Sequence, residues 1–265
     1  MLKESTFKKF TDFFYDKAGI RLTAEKKYLI INRLDKIIGA DKSFKTYDDY
    51  YKSLSEDFNG DLTKDFINRL TTNYSFFFRE EAHFDFLEYF LLNRISDRKY
   101  LRIWSAACST GEEPYAIALL AKRCLINIDE LDFRILATDI STKVLEKAKE
   151  GTYELVKVNN RNKLDRYLSY FSKDKEGHIT VKDEIKKLIT FKQLNLLSTY
   201  PFKKKFDIVF LRNVLIYFEN NEKEIILNKI YDVIKPDGYL IMGLSESLIG
   251  VKTDFKNIKY SIYKK

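Results

Sequence analysis

The sequence predicts a fold in two parts, an all-helical segment followed by an α/β segment with a mostly parallel sheet. Before Tyr100, apolar residues recur near the 3.6-residue period of a helix. From Tyr100 onward, short apolar runs alternate with helical patterns, which is typical of βαβ units. The chain has 265 residues, 45% of them hydrophobic, with 9 Gly and 3 Pro. That length permits two domains, and that composition can bury a sizeable core.

The helical segment is predicted from four groups of apolar residues. Thr46 and Asp49 fit a capping box at the start of the third group, because the Thr hydroxyl and the Asp carboxylate can each satisfy an unpaired backbone N–H. The fourth group is expected to form a helix that links to the α/β segment. The groups are Phe10, Phe13 and Phe14; Tyr28, Leu29, Ile31, Leu34 and Ile38; Tyr47, Tyr50, Tyr51 and Leu54; and Phe84, Leu87, Leu91 and Ile95.

The α/β segment opens with a predicted strand at Leu101–Trp104, followed by a helix that ends near Cys124. Pro114 suits the first turn of that helix. A second strand covers 133–138, and Ser141 can cap the helix after it, which is expected to end near residue 151. Lys235–Gly238 is expected to form a turn. The remaining predicted elements are strands at 188–194, 206–211, 239–242 and 258–263 and a helix at 222–234.

Several classes of protein are excluded by composition. No stretch approaches the roughly 18 apolar residues that a membrane span needs, and the first residues are not a signal peptide, so a cytoplasmic location is expected. Cys108, Cys124, His83 and His178 are too few and too scattered for a disulfide framework or a metal cage. No metal and no disulfide are therefore expected.

The positive charge is concentrated in one stretch. The net charge is +8, and residues 152–205 carry 13 Lys and Arg against 6 Asp and Glu, a local excess of 13 − 6 = +7. Such a patch favours an acidic partner, either nucleic acid or a glutamate-rich protein surface. A lysine-rich face that is simply solvated explains the pattern equally well.

Ser105–Tyr115 follows the first strand and opens the first helix, where open α/β sheets bind nucleotides. The segment has no G-x-G-x-x-G pattern, and Glu112 and Glu113 stand where a pyrophosphate would meet the helix. Because acidic groups repel phosphate, a phosphate-free cofactor with a cationic amino-acid end fits better, and S-adenosylmethionine is such a molecule. The alternative is that both carboxylates only complement the helix dipole.

Asp139 closes the second strand, one βα unit after this motif. A carboxylate at that position can accept hydrogen bonds from both ribose hydroxyls of an adenosine. It could equally cap the helix that begins near Ser141. The combination of the loop and the acid is more specific than either feature alone.

Five segments, taken together and in order, resemble the chemotaxis receptor methyltransferases, the CheR family. The W-S-A-A-C-S-T-G-E-E-P-Y segment resembles the family's cofactor motif, and T-T-N-Y-S-F-F-F-R-E and R-N-V-L-I-Y-F resemble two further family blocks. The resemblance covers roughly residues 10 to 263, with S-E-S at 245–247 in place of the usual H-S-E. The matching segments are Thr71–Glu80, Trp104–Tyr115, Gln193–Leu197, Arg212–Phe218 and Lys235–Leu240.

The resemblance implies a class I S-adenosylmethionine-dependent methyltransferase fold, Rossmann-like, with an N-terminal all-helical domain and a small inserted antiparallel β-subdomain. The implied divisions are an N-terminal domain at 1–80, a linker helix at 81–99 and a methyltransferase domain at 100–265, with the insert at about 170–190. The implied activity is esterification of glutamate side chains on chemotaxis receptors. The expected partner is the cytoplasmic signalling domain of these receptors, with no nucleic acid, no membrane insertion and a monomeric chain.

The resemblance also implies a role for each site residue. The cofactor would be bound by Asn73, Ser75, Arg79, Ala106, Glu112, Asp139, Asn195, Leu196, Arg212 and Asn213. Within that set, Glu112 would bind the methionyl amino group, although adjacent Glu113 could make the contact instead. Arg79 and Tyr217 would act at the reaction centre. From the residues alone, Arg79 could equally form a surface ion pair with Glu80 or Glu81, and Tyr217 could be a core aromatic.

Two other functions compete with this hypothesis. The basic stretch suggests a methyltransferase acting on RNA, although no Pro-Pro pair of the kind found in base-directed enzymes is present. A non-catalytic module that binds cofactor or receptor is the second. Cys108 is not expected to be a nucleophile, because no base is recognisable beside it. Dependence on a docking peptide of the receptor stays open.

Overall fold

The computed structural model describes residues 2–58, 60–93, 100–155 and 161–265. Within these ranges, none of the helices combines the length and the apolar character required to cross a membrane. The chain folds into a helical part, a seven-stranded sheet with flanking helices, and a three-stranded sheet.

The N-terminal part consists of four helices around an aromatic core. Phe10, Tyr50 and Phe66 are fully buried at its centre, with the rings of Phe10 and Phe66 stacked 5.7 Å apart. The predicted capping box is confirmed, since the Thr46 hydroxyl accepts the Asp49 backbone N–H and the Asp49 carboxylate accepts the Thr46 N–H. The helix at 61–70 was not predicted, because none of the four apolar groups covers it. The helices are α1 (Glu4–Ala18), α2 (Lys27–Leu34), α3 (Tyr47–Glu56) and α4 (Asp61–Leu70).

Helix α5 (Glu81–Asn93) joins the helical part to the sheet and occupies the first part of the predicted linker. Its buried residues include Phe84, Leu87 and Leu91, which pack into the larger core cluster. The remainder of the predicted linker, 94–99 with Ile95, lies outside the described residues.

The main sheet confirms the predicted α/β class. Its strands are β1 (Tyr100–Ala106), β2 (Asp132–Asp139), β6 (Ile189–Gln193), β7 (Phe206–Leu211), β8 (Ile234–Met242), β9 (Lys256–Lys259) and β10 (Ile262–Lys264). The sheet order is β6-β2-β1-β7-β8-β10-β9, parallel from β6 to β8 and antiparallel for the last two strands. Helices α6 (Glu112–Cys124), α7 (Thr142–Glu150) and α10 (Asn220–Val233) connect or flank its strands.

The small antiparallel sheet contains β3 (Thr152–Glu154), β4 (Phe171–Lys173) and β5 (His178–Val181), in the order β3-β5-β4. It therefore begins well before the expected 170–190. Ile189 and Thr190 are not part of it, because they pair with β2 in the main sheet. Short helices α8 (Arg161–Leu164) and α9 (Asp183–Lys186) complete this region.

The basic stretch 152–205 does not form a single structural unit. It runs through the small sheet, through β6 and along the loop before β7. Several of its lysines pair with acids from other elements, including Lys187 with Asp129 and Lys204 with Asp132. The charge is thus spread over several surfaces.

Two predictions near the C-terminus are corrected. The predicted turn at 235–238 lies within β8, where the register against β7 shifts between Phe206 and Ile208, and Asp237 has φ +63°. The predicted strand at 258–263 is divided by a two-residue turn at Tyr260 and Ser261, with φ +49° and +57°. Positive φ at both turn positions matches the right-handed twist of a hairpin.

Candidate cofactor pocket and active site

A cavity of about 400 Å³ lies where β1, β2 and β7 end, a size in the range of small-molecule sites. The helical part closes one side through residues such as Phe14, Ala18 and Leu22. Most predicted site residues line this cavity although they come from distant parts of the chain. They are Asn73, Ser75, Arg79, Asp139, Asn195, Leu196, Arg212, Asn213 and Tyr217.

The loop between β1 and α6 forms the floor of the cavity. Ala107, Cys108 and Ser109 line it, whereas the predicted Ala106 does not, because its side chain is fully buried in the core beneath the sheet end. The loop turns sharply at Gly111, which has φ +96°. A Cβ atom there would stand 2.9 Å from the Ala148 Cβ, so only glycine fits this approach of loop and helix.

Asp139 joins the two loops that end β1 and β2. Its Oδ2 accepts the Ser109 N–H at 2.9 Å, and its Oδ1 accepts the Ser141 N–H at 3.0 Å. The cap of α7 is Ser141 itself, whose hydroxyl accepts the Val144 N–H. Burial raises the pKa of Asp139. Asp139 therefore organises both loops while facing the cavity.

The two adjacent glutamates at the start of α6 differ in their surroundings. Both Glu113 oxygens are bound by protein donors, Oε1 by the Ser105 hydroxyl and Oε2 by Arg212 Nη1, each at 2.7 Å. Both Glu112 oxygens accept one hydroxyl, that of Thr110, at 2.9 and 2.7 Å. Burial raises the pKa of Glu112. Glu113 lines the cavity and Glu112 does not, so the assignment of Glu112 to the cofactor stays a prediction.

Arg212, at the end of β7, is the centre of a buried ionic network. Its side chain is 2% exposed; Nη1 donates to Glu113, and Nη2 donates to Glu80 Oε2 at 3.1 Å and to the Arg79 carbonyl. Burial opposes ionisation of Glu80, but the Arg212 charge and several hydrogen bonds lower its pKa overall. The network fixes β7, α6 and the segment between α4 and α5 relative to each other.

Asn213 is held by two carboxylates to which the sequence analysis gave no role in the site, the half-buried Glu80 and the buried Glu246. Its side-chain amide donates to Glu80 Oε1 at 3.2 Å, and its backbone N–H donates to Glu246 Oε2 at 2.8 Å. Glu246 also accepts the N–H groups of Leu215 and Gly243. Asn213 has φ +57°, a conformation that asparagine tolerates better than most residues. The sequence signal for Glu80 and Glu246 was their place inside or beside the family blocks.

Arg79 differs from Arg212, because it contacts a carbonyl and aromatic rings instead of carboxylates. Nη1 donates to the Tyr74 carbonyl at 3.2 Å, and the guanidinium lies over the Tyr74 and Phe76 rings, 5.7 and 5.8 Å from their centroids. The alternative of an ion pair with Glu80 or Glu81 is wrong, because these acids pair with Arg212 and Lys163. Among the described residues, no carboxylate lies within ion-pair distance of Arg79.

Tyr217 lies in a short 3₁₀ helix, Leu215–Tyr217, that follows the end of β7. Its side chain packs against buried core residues and also lines the cavity. Tyr217 is therefore both a partly buried core aromatic and a residue of the candidate site. Burial raises the pKa of Tyr217, and the nearby Arg79 charge opposes that shift.

The β6 loop connects the cavity to the helical part. The Asn195 amide donates to the Lys17 carbonyl at 2.9 Å, and its oxygen accepts the Leu197 N–H at 2.9 Å. Asn195 thus ties the loop to the end of α1, while Leu196 contributes an apolar wall. Asn73, in the segment between α4 and α5, donates to the Thr71 hydroxyl at 3.3 Å.

Neither histidine lines the cavity; of the two cysteines, Cys108 lines it and Cys124 does not. His83 is fully buried, with Nε2 2.7 Å from the Tyr260 carbonyl, and His178 begins β5 with Nδ1 3.1 Å from Asp174. Burial raises the pKa of the Cys108 thiol, which opposes a nucleophilic role. In the part of the chain that the structure describes, no group of three or more His, Cys, Asp or Glu could hold a metal ion.

The polar groups that line the cavity fit a phosphate-free adenosine compound. Carboxylates of Asp139 and Glu113 face the cavity at the ends of β2 and α6, where a phosphate would be repelled. The buried hydroxyl of Ser109, which also lines the cavity, has no partner among the described residues. The cavity therefore offers acceptors for ribose hydroxyls and for a cationic amino group.

Comparison with known proteins gives a consistent result. Residues 73–264 match the family model described as CheR methyltransferase, SAM binding domain, and residues 5–71 match the CheR methyltransferase all-alpha domain. A chemotaxis protein methyltransferase of Borreliella burgdorferi is 38% identical over 261 residues, which cover 95% of this chain and 90% of that protein. A probable one of Rhizobium etli is 35% identical, covering 94% and 96%, and one of Salmonella typhimurium is 35% identical, covering 99% and 90%.

Proposed function

Because this chain belongs to the CheR methyltransferase family and carries its S-adenosylmethionine-binding domain, we propose that it methylates glutamate side chains of chemotaxis receptors. The product is a glutamate methyl ester on the receptor's cytoplasmic signalling domain, which serves sensory adaptation. The observation that carries this proposal is a cation at the cavity, Arg79, whose guanidinium pairs with no carboxylate among the described residues.

The reaction requires little from the protein beyond positioning. The bound cofactor supplies a methyl group on a positively charged sulfur, and displacement by a carboxylate leaves the electron pair of the broken bond on that sulfur without proton transfer. A glutamate has an ordinary pKa of about 4.3, so it is already ionised near pH 7 and needs no general base. Neither histidine lines the cavity, which agrees with chemistry that uses no base.

Arg79 orients the incoming carboxylate through its planar fork of N–H donors. The Tyr74 carbonyl and the Tyr74 and Phe76 rings hold the guanidinium without neutralising its charge. Tyr217, close enough for the Arg79 charge to affect its pKa, supplies a hydroxyl contact to the same carboxylate. Asp139 accepts hydrogen bonds from the ribose, and Arg212 and Asn213 close the pocket near the methionyl side.

The test is transfer of a labelled methyl group from S-adenosylmethionine to a receptor cytoplasmic fragment. We expect label on the fragment that is released as methanol by mild base, because a carboxyl ester is base-labile. A matched fragment in which the target glutamates are replaced by glutamine should remain unlabelled. Label on RNA offered in parallel would support the competing activity, and cofactor binding without any transfer would indicate a non-catalytic module.

A further inference from the structure

Among the described residues, five buried side-chain atoms have no hydrogen-bond partner, and two of them belong to residues that line the cofactor cavity. These two are the Ser109 hydroxyl and the Nε–H of Arg212. Leaving a buried polar group unpaired costs roughly 1–3 kcal/mol, so native proteins seldom retain one without a use. Arg212 already has a structural role through its other nitrogens, whereas the Ser109 hydroxyl has none.

The fold fixes Ser109 through its backbone. The residue is 8% exposed and has φ +50°, a left-handed conformation that serine seldom adopts. Its N–H donates to Asp139 Oδ2 at 2.9 Å. The hydroxyl contributes no hydrogen bond to the loop, so glycine would satisfy the backbone geometry better than serine does.

We propose that the Ser109 hydroxyl is a further cofactor-binding group that contacts the ribose of S-adenosylmethionine beside Asp139. Ser109 and Asp139 are linked by a hydrogen bond and line the same cavity, so both can address one part of a ligand. A carboxylate only accepts hydrogen bonds, whereas a hydroxyl both donates and accepts. The pair therefore complements a vicinal diol, in which each hydroxyl also donates and accepts.

The experiment compares Ser109→Ala with the wild-type protein by calorimetric titration with S-adenosylhomocysteine and with 5′-methylthioadenosine. Both compounds carry the adenosine, but only the first has the amino-acid end. We expect the Kd to rise about tenfold for both, since one lost hydrogen bond of about 1.4 kcal/mol corresponds to that factor. The melting temperature of the cofactor-free variant should equal or exceed that of the wild type, because an unpaired buried hydroxyl is removed.

Ser109→Gly separates the hydroxyl from the backbone. Glycine accepts φ +50° without strain and also lacks the hydroxyl, so the same loss of affinity is expected. Ser141→Ala is the matched control. Ser141 is also buried and its N–H also donates to Asp139, but its hydroxyl donates to Asn68 at 2.8 Å and caps α7. Its loss should lower the melting temperature and leave the Kd of both ligands within about twofold.

Unchanged affinity in Ser109→Ala would overturn the proposal, as would a loss of affinity accompanied by a lower melting temperature without ligand. Retained affinity in Ser109→Gly would assign the loss in Ser109→Ala to the Cβ that alanine keeps at φ +50°, not to the missing hydroxyl, and would overturn the proposal as well. A loss confined to S-adenosylhomocysteine would place the contact at the amino-acid end and overturn the ribose assignment. The inference rests on the proposed function only through the cofactor site. The titrations contain no methyl acceptor, so failure of the receptor assignment would leave their results unaffected.

Discussion

Two arginines line the same cavity, but they differ in burial and in pairing with carboxylates. Arg212 is buried between Glu80 and Glu113, with each terminal nitrogen bound by a protein group. Arg79, in the segment between α4 and α5, lies over aromatic rings and pairs with no carboxylate among the described residues. The contrast indicates that one arginine builds the site and the other is available to a substrate. Substitutions that separate stability from turnover can test this division.

The largest effect is expected for Arg212→Leu. Removing the guanidinium leaves Glu80 and Glu113 buried without a counter-charge, so the free energy of unfolding should fall by about 3–5 kcal/mol in urea denaturation. Arg79→Leu should change it by less than about 0.5 kcal/mol. Combining Arg212→Leu with Glu80→Gln and Glu113→Gln should recover part of the loss. A loss below about 1 kcal/mol in the single variant would show that Arg212 is not a structural centre.

The next effect concerns His83, which lies against the Arg212 network. Burial and the Arg212 charge lower the pKa of His83 to about 4, from an ordinary value near 6.5. Between these values the unfolded chain binds a proton that the folded chain does not, so His83 makes unfolding easier as the pH falls from about 6.5 to 4. His83→Gln keeps a donor for the Tyr260 carbonyl but cannot titrate.

Relative to this variant, the wild type should lose on the order of 3 kcal/mol of unfolding free energy across that window. The measurement is the difference between urea unfolding curves of the two proteins at pH 7 and near pH 4. Using the difference removes the contributions of buried acids such as Glu112 and Asp139, which are common to both. Parallel pH dependences would contradict the assignment of a neutral, buried His83.

For Arg79→Ala, we expect receptor methylation at saturating cofactor to fall about 100-fold, because the acceptor carboxylate loses its orienting group. The Kd for S-adenosylhomocysteine should change by less than about threefold, and the melting temperature should stay the same. Arg79→Lys should recover only part of the activity, since an ammonium lacks the planar fork. Equal losses in binding and turnover would place Arg79 on the cofactor instead of the substrate.

The smallest effect is expected for Asp139→Ala. This variant should lose more cofactor affinity than turnover, the reverse of Arg79→Ala. Cofactor affinity should fall first, by about tenfold, with a smaller change in turnover once the protein is saturated. The loops also lose the acceptor for the Ser109 and Ser141 N–H groups, so some loss of stability is expected. Unchanged affinity by calorimetry would remove Asp139 from the ribose site.

Much of the fold could be predicted because its signals are local. The capping box at Thr46, the helix after β1 and the parallel strands all follow from residues within a few positions of each other. The errors came at strands of three or four residues, which are too short to show a clear period. The segment 258–263 was read as one strand and is a hairpin, and the first strand of the small sheet was missed because three residues give little periodic signal.

For the site, most of the residues predicted from the sequence line the cavity, but the sequence did not show which groups each of them contacts. Asp139 was expected either to bind ribose or to cap a helix, and the structure adds that it joins two loops. Ala106 was expected to face the cavity, but one residue further along the strand end, Ala107, does so. Glu246 and Ser109 lie within segments that resemble the family, but neither of them was assigned a role from the sequence, since their importance depends on which atoms surround them.

By itself, the sequence determined the order of helices and strands, the loop that leaves the first strand and the family to which the chain belongs. Only the tertiary structure decided which charges are paired. Arg212 finds Glu113 at a separation of 99 residues and Glu80 at 132, whereas Arg79 has two acids directly after it and pairs with neither. The physical reason is that helix and strand patterns arise from neighbours along the chain, while an ion pair is set by burial and by distance in space.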